Sequence, residues 1–210
     1  MTNDKKTSRG RFIVLEGTDG SGKSTHAALL RDAMAKATGR RCLLEREPDS
    51  RNMIGGLIRA ALHGNVSVTP EGMAYLHVAD RLEHIAYMLP LLESGTDIVC
   101  DRYYVSNMAY NSTGDISVED VYRLNAPCAR RLQPDLVIFL DVSPEETARR
   151  RAGERADSEI YDALERQKKI RENYYAALDL VEREGVKVIR IDASRPKEEV
   201  AADVRAAAGI

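Results

Sequence analysis

The sequence predicts an α/β fold, with a five-stranded parallel sheet and helices on both faces. Short apolar runs alternate with amphipathic helical stretches along the whole chain, and each run is closed by a turn residue or a charged residue. No internal repeat interrupts the alternation, and 210 residues fit one compact domain.

Phe12 to Leu15, stopped by Gly17, reads as the first buried strand, and a helix follows from about Lys23 to Ala37. Arg41 to Arg46 is the second strand, closed by Pro48. Ile54 to Leu62 is helical with Gly64 as its stop, and a long helix covers about Pro70 to Ser94 with an interruption expected at Pro90. Asp97 to Cys100 forms the third strand, and helices fill about 104–132. Leu136 to Val142 and Val186 to Ile191 are the last two strands, separated by a charged helical region. A final helix runs from about Pro196. Met1 to Gly10 is expected to be a flexible leader, leaving residues 11–210 as one domain.

Composition narrows the function. Hydrophobic residues make up 43% and charged residues 30%, and the formal charge of −2 lacks the basic excess of a nucleic-acid-coating surface. No apolar run reaches the roughly 20 residues of a membrane-spanning helix. Cys42, Cys100 and Cys128 are odd in number and far apart, so they suggest buried thiols in a reducing cytoplasm rather than a metal cluster.

Chemistry concentrates after the strands, where parallel sheets bind ligands. Gly17-Thr18-Asp19-Gly20-Ser21-Gly22-Lys23-Ser24 satisfies G-x-x-x-x-G-K-[ST], which defines a P-loop. Its glycines let backbone amides wrap around phosphate oxygens, and the following helix adds its positive end. Lys23 supplies a point charge to a triphosphate, and the Ser24 hydroxyl can ligate Mg²⁺. This motif alone specifies a nucleoside triphosphate binder. Asp101-Arg102-Tyr103 follows the third strand and adds a second cation, which transfer between two mutually repelling phosphorylated molecules requires. Arginine suits the task because its fork grips two oxygens and stays charged.

Taken together, Gly17 to Thr25 with Asp19 inside the loop, Asp101-Arg102-Tyr103 with Ser106-Asn107 and Ala109-Tyr110, and Pro134-Asp135-Leu136 leading into Leu140-Asp141-Val142 resemble thymidylate kinases. The resemblance covers essentially the whole chain and implies the three-layer P-loop fold, ATP as donor, dTMP as acceptor, Mg²⁺, and a homodimer. It implies that Asp19 holds the acceptor sugar and Arg102 bridges the acceptor phosphate and the transferring group. Asp101 would orient that arginine or a Mg²⁺-bound water. Arg81 and Asn107 would read the base edge, with Ser106 beside them and Tyr110 against the sugar. His77 stands where the family usually stacks a Phe on thymine, and its charge can vary near neutral pH. Arg46-Glu47-Pro48 resembles the acceptor-phosphate loop, but Asp49-Ser50 replaces the usual glycines, and Arg51 is the candidate that reaches the phosphate.

Arg149 to Arg155 contains four arginines and Gly153, and the segment of about 149–158 looks like a lid over the triphosphate. Because Gly20 occupies the loop position that can carry a catalytic arginine in this family, the lid would have to supply one. Arg151 and Arg155 are the candidates, with Arg149 on the nucleotide side. Two other readings stay open from sequence: a kinase for a different nucleoside monophosphate or nucleoside, and a non-catalytic P-loop switch.

Overall fold

The computed structural model describes residues 8–151 and 157–210, with side chains described outside positions 151 and 157–163. Its strands are β1 (Phe12–Glu16), β2 (Cys42–Arg46), β3 (Asp97–Asp101), β4 (Leu136–Asp141) and β5 (Val188–Asp192). All pair in parallel in the order β2-β3-β1-β4-β5, as the strand-helix alternation predicts. The helices are α1 (Lys23–Thr38), α2 (Met53–Leu62), α3 (Pro70–Glu93), α4 (Tyr104–Asn111), α5 (Val118–Arg131), α6 (Pro144–Arg151), α7 (Asp157–Arg183) and α8 (Lys197–Ala207).

Strand periodicity divides the core in two. Phe12 and Val14 face one layer with Ile98, Cys100, Val137 and Phe139, packed against α3, α4, α5 and α7. Ile13 and Leu15 face the other with Val99, Ile138 and Leu140, beneath Leu30 and Met34 of α1 and Val200 and Val204 of α8. Alternate side chains of a strand point to opposite faces, so β1 must be apolar throughout to be covered on both. Glu16 is the exception, fully buried on the Phe12 and Val14 parity.

Three boundaries differ from the sequence reading. Pro90 does not interrupt α3, because it lies in the last turn, where a missing N–H leaves little helix to disrupt. The helices expected over 104–132 are α4 and α5, and the reading did not place the gap between them at 112–117, where Ser117 and Asp120 form the capping box that starts α5. The leader is attached by its last residues: Arg9 pairs with Asp135, and the Gly10 amide donates to the Leu92 carbonyl at 2.7 Å. The remainder of the expected leader, 1–7, lies outside the described residues. Cys42, Cys100 and Cys128 are buried thiols, the first two in strands and the third in α5.

Leu30 is fully buried between α1 and the sheet. Leu30→Ala is expected to lower unfolding free energy by about 2–5 kcal/mol, through lost transfer energy and an unfilled cavity. Urea denaturation followed by circular dichroism checks it; an unchanged midpoint would mean that the layer is not close-packed there.

Candidate active site

The phosphate loop leaves β1 through backbone that only glycine adopts readily, with φ of 150° at Gly17, 90° at Gly20 and 89° at Gly22. A Cβ at Gly17 would lie 2.7 Å from the Leu140 carbonyl oxygen, so the turn also requires the absent side chain. Lys23 is folded back, donating from Nζ to the Thr18 carbonyl at 2.7 Å. Burial is the largest reason its pKa falls to about 7; the charge of Arg102 lowers it further, while Asp101, Asp19 and Glu16 pull it back. Lys23 and Arg102 therefore face the same space.

Asp101 and Ser24 meet as a metal site would require. Ser24 Oγ donates to Asp101 Oδ2 at 2.6 Å, while Asp101 Oδ1 is buried with no hydrogen-bond partner. An unpartnered carboxylate oxygen beside a hydroxyl, over a phosphate loop, fits Mg²⁺, which takes one or two protein oxygens plus phosphates and water. Among the described residues no group of three His, Cys, Asp or Glu side chains could hold a metal ion. Asp101 does not orient Arg102 here. Strand register places it opposite Arg46, which donates to Oδ2 at 2.9 Å.

Arg102 instead occupies a left-handed backbone conformation, φ 77°, the only non-glycine residue to do so among those described. Such strain persists where the surroundings over-determine it. Its guanidinium donates to Asp19 at 2.5 Å, Ser106 Oγ at 3.0 Å, the Tyr174 hydroxyl at 3.1 Å and the Tyr110 hydroxyl at 3.3 Å. Asp19 thus holds the arginine in this structure. Tyr110 packs its ring 4.9 Å from the same guanidinium.

A cleft of about 1230 Å³ joins these groups to the loop after β2 and the inner face of α3. Single small-ligand pockets commonly measure roughly 300–1,000 Å³, so this one has room for two nucleotides end to end. Its far wall contains Arg81, His77, Asn107 and Ser106. Arg81 is a buried charge. It is 1% exposed and gripped by Glu47 at 2.6 and 2.8 Å, with Asn125 Oδ1 accepting at 2.5 Å. Asn107 donates to the Ala74 carbonyl and accepts from Asn111 at 2.8 Å. His77 is half-buried in the wall, and burial first, then the charge of Arg81, hold its pKa at about 4. Its imidazole is neutral near pH 7, contrary to the expectation of a variable charge.

Arg51 lines the cleft but is held by Glu45 at 2.7 Å and Asp49 at 2.9 Å, with its guanidinium 3.9 Å over the Tyr87 ring. The loop it belongs to is fastened to α3: Asp80 accepts from the Asp49 amide and the Asn52 side chain, which in turn caps α2. On the other side, Arg149 pairs with Glu146 and is not among the lining residues, whereas Arg150 lines the cleft and donates to the Ala193 and Ser194 carbonyls. The side chain of Arg151, and Arg155 altogether, lie outside the described residues. Sequence reasoning passed over Glu16, Asn125 and Tyr174, and named Glu47 and Arg150 only within their segments. Glu16 alone carried a signal, a charge closing an otherwise apolar strand.

The comparisons with known proteins point the same way. The family profile described as thymidylate kinase matches residues 15–204. The chain belongs to the thymidylate kinase family. Thymidylate kinase of Leifsonia xyli subsp. xyli is 38% identical over 199 residues, covering 93% of both chains. A probable thymidylate kinase of Pyrobaculum aerophilum is 40% identical over 195 residues, covering 92% of this chain and 93% of that one. A probable thymidylate kinase of Pyrococcus abyssi is 40% identical over 172 residues, 79% of this chain and 82% of its own.

Beneath the acceptor wall, His84 is fully buried and bridges Glu45 and Glu47 at 3.2 Å each. Burial opposes its charge, but the two carboxylates outweigh it and lift the pKa to about 9. A raised folded-state pKa stabilises fully below the unfolded value of about 6.5, and that stabilisation is lost as pH rises through about 9. Lys23 titrates in the same window with opposite sign, so the informative quantity is the difference from His84→Gln. That difference is expected to shrink between pH 6 and pH 9.5 by at most about 3 kcal/mol, measured by chemical denaturation. A pH-independent difference would show that His84 is neutral in the folded protein.

Proposed function

We propose that this member of the thymidylate kinase family moves the γ-phosphoryl group of ATP to dTMP, giving ADP and dTDP for dTTP synthesis. The observation that carries the reading is the convergence of Lys23 and Arg102 on one cleft large enough for two nucleotides. An oxygen of the acceptor phosphate forms the new bond to phosphorus, and the bond to the β–γ bridging oxygen breaks as ADP leaves. Both partners are anionic, so the protein contributes positioning and charge neutralisation. Lys23 and the loop amides take the donor phosphates, and Arg102 takes the acceptor phosphate and the group in flight. Ser24 and Asp101 would hold Mg²⁺, which would supply positive charge against the donor phosphates.

On the acceptor side, Arg81 and Asn107 address the base edge, His77 packs on the base as a neutral ring, and Asp19 and Tyr110 flank the sugar. Arg51 would exchange its contacts with Glu45 and Asp49 for the acceptor phosphate. From the lid, Arg151 or Arg155 supplies a further cation, and Arg149 would have to leave Glu146 to reach the nucleotide. A homodimer is part of the same proposal. It is supported by exposed apolar side chains on neighbouring helices beside the sheet, with Met53 92% exposed and Leu57 39% on α2, and Tyr75 59% on α3. So is a cytoplasmic setting, supported by three buried cysteine thiols. No helix among the described residues is long and apolar enough to cross a membrane.

An ADP-release assay across dTMP, dUMP, dCMP, dGMP, dAMP and thymidine is expected to give turnover with dTMP above all others. Arg102→Ala is expected to lose at least about a hundredfold in kcat with its fold retained. Preferred turnover of another acceptor would replace the substrate; a near-normal rate from the variant would remove Arg102 from the chemistry.

A further inference from the structure

Glu16 is a carboxylate with no exposure at all, at the end of the central strand, and none of the chemistry above uses it. Its Oε1 accepts from the amides of Tyr103 at 2.9 Å and Ser106 at 3.2 Å, which fastens the first turn of α4 directly after Arg102. Its Oε2 accepts from Ser106 Oγ at 2.5 Å and lies 3.3 Å from the Tyr174 hydroxyl. Those two hydroxyls are the ones that accept from Arg102 Nη1. The carboxylate thus stands one layer behind the guanidinium, joined to it through a serine and a tyrosine.

Tyr174 adds a second connection. Its hydroxyl is 3.0 Å from the Gly17 carbonyl, the first residue of the phosphate loop, so one atom contacts both the loop and the arginine. Its ring is fully buried, 5.2 Å from Phe139 and 6.0 Å from Tyr110 between centroids. Burial keeps the phenol protonated well beyond neutral pH. Packing could be met by phenylalanine; the hydroxyl is the group that packing leaves unexplained.

We infer that Glu16 and Tyr174 are positioning residues for phosphoryl transfer, setting the Arg102 guanidinium in register with the phosphate loop. An arginine has four side-chain torsions and here starts from a strained backbone, so its fork is placed only if several partners fix it. Asp19, 51% exposed, is a weaker anchor than two buried hydroxyls backed by a buried carboxylate. The role rests on the reading of Arg102 as the arginine that bridges the two phosphates.

The test uses the full chain with ATP and dTMP. Tyr174→Phe keeps the ring and removes the contact to Gly17 and Arg102; it is expected to lower kcat about ten- to hundredfold, since small misplacement of a positioning group costs rate on that scale. KM for ATP should stay within about twofold and the melting temperature close to that of the parent. Glu16→Gln, nearly isosteric, should lower kcat in the same way. The decisive arm is the pair Tyr174→Phe with Arg102→Ala: residues acting through one another are not additive, so the double variant should be no more than about twofold slower than Arg102→Ala alone. A full multiplicative loss, or single variants with parental kcat beside an impaired Arg102→Ala, would overturn the positioning role while leaving Arg102 in place. A parental rate from Arg102→Ala would instead overturn the reading beneath it, and this role with it.

Discussion

Two like charges held side by side organise this site. Lys23 and Arg102 repel each other, and burial compounds the repulsion by removing water that would screen it. The fold offsets this with carboxylates approaching from three directions: Asp19 from the loop, Asp101 from β3 and Glu16 from β1. An incoming phosphate would exchange for existing contacts, Asp19 on Arg102 and the Thr18 carbonyl on Lys23. The adjacency of β1 and β3 is what makes this possible, since the register of Leu15 opposite Asp101 brings the two strand ends, and the loops they launch, to the same level.

The acceptor half is arranged on a different principle. There the cation is fully paired: Arg81 is gripped by Glu47 and Asn125, and His84 closes the layer beneath by bridging Glu45 and Glu47. A buried, hydrogen-bonded network holds a guanidinium rigidly at the cost of desolvating it. Rigidity suits recognition of a base edge, where donors must stand at set positions. Arg81 is thus held by wholly buried partners, whereas Arg102 is held by one half-exposed carboxylate and three hydroxyls.

Much of the donor half was legible in the chain, because a phosphate loop and the residues after β3 announce themselves locally. Gly17, Lys23 and Ser24 have their places beside the cleft written in spacing, and Arg102 in its position after a strand. The acceptor half depends on long-range pairs. Glu47 and Arg81 are separated by 34 positions, Arg81 and Asn125 by 44, and Glu16 and Tyr174 by 158, so no window of sequence contains them. Arg150 against Arg149 was decided by helix phase at the end of α6, where one position turns a side chain by about 100°. The fold itself was legible because apolar runs and turn residues repeat at strand and helix intervals; the split at 112–117 was not, since it turns on a two-residue capping exchange.

The length of α7 has a mechanical consequence. From Ile170 onward its residues enter the core and clamp the helix, whereas none from Leu164 to Lys169 is buried. Tyr174 lies within the clamped part, 17 residues beyond Asp157, a lever arm of about 25 Å at the helical rise. A tilt of about 5° around that fulcrum would sweep the beginning of the helix through about 2 Å while scarcely displacing the phenol. A shift of that size in the first turns would leave the Tyr174 hydroxyl beside Arg102 and Gly17.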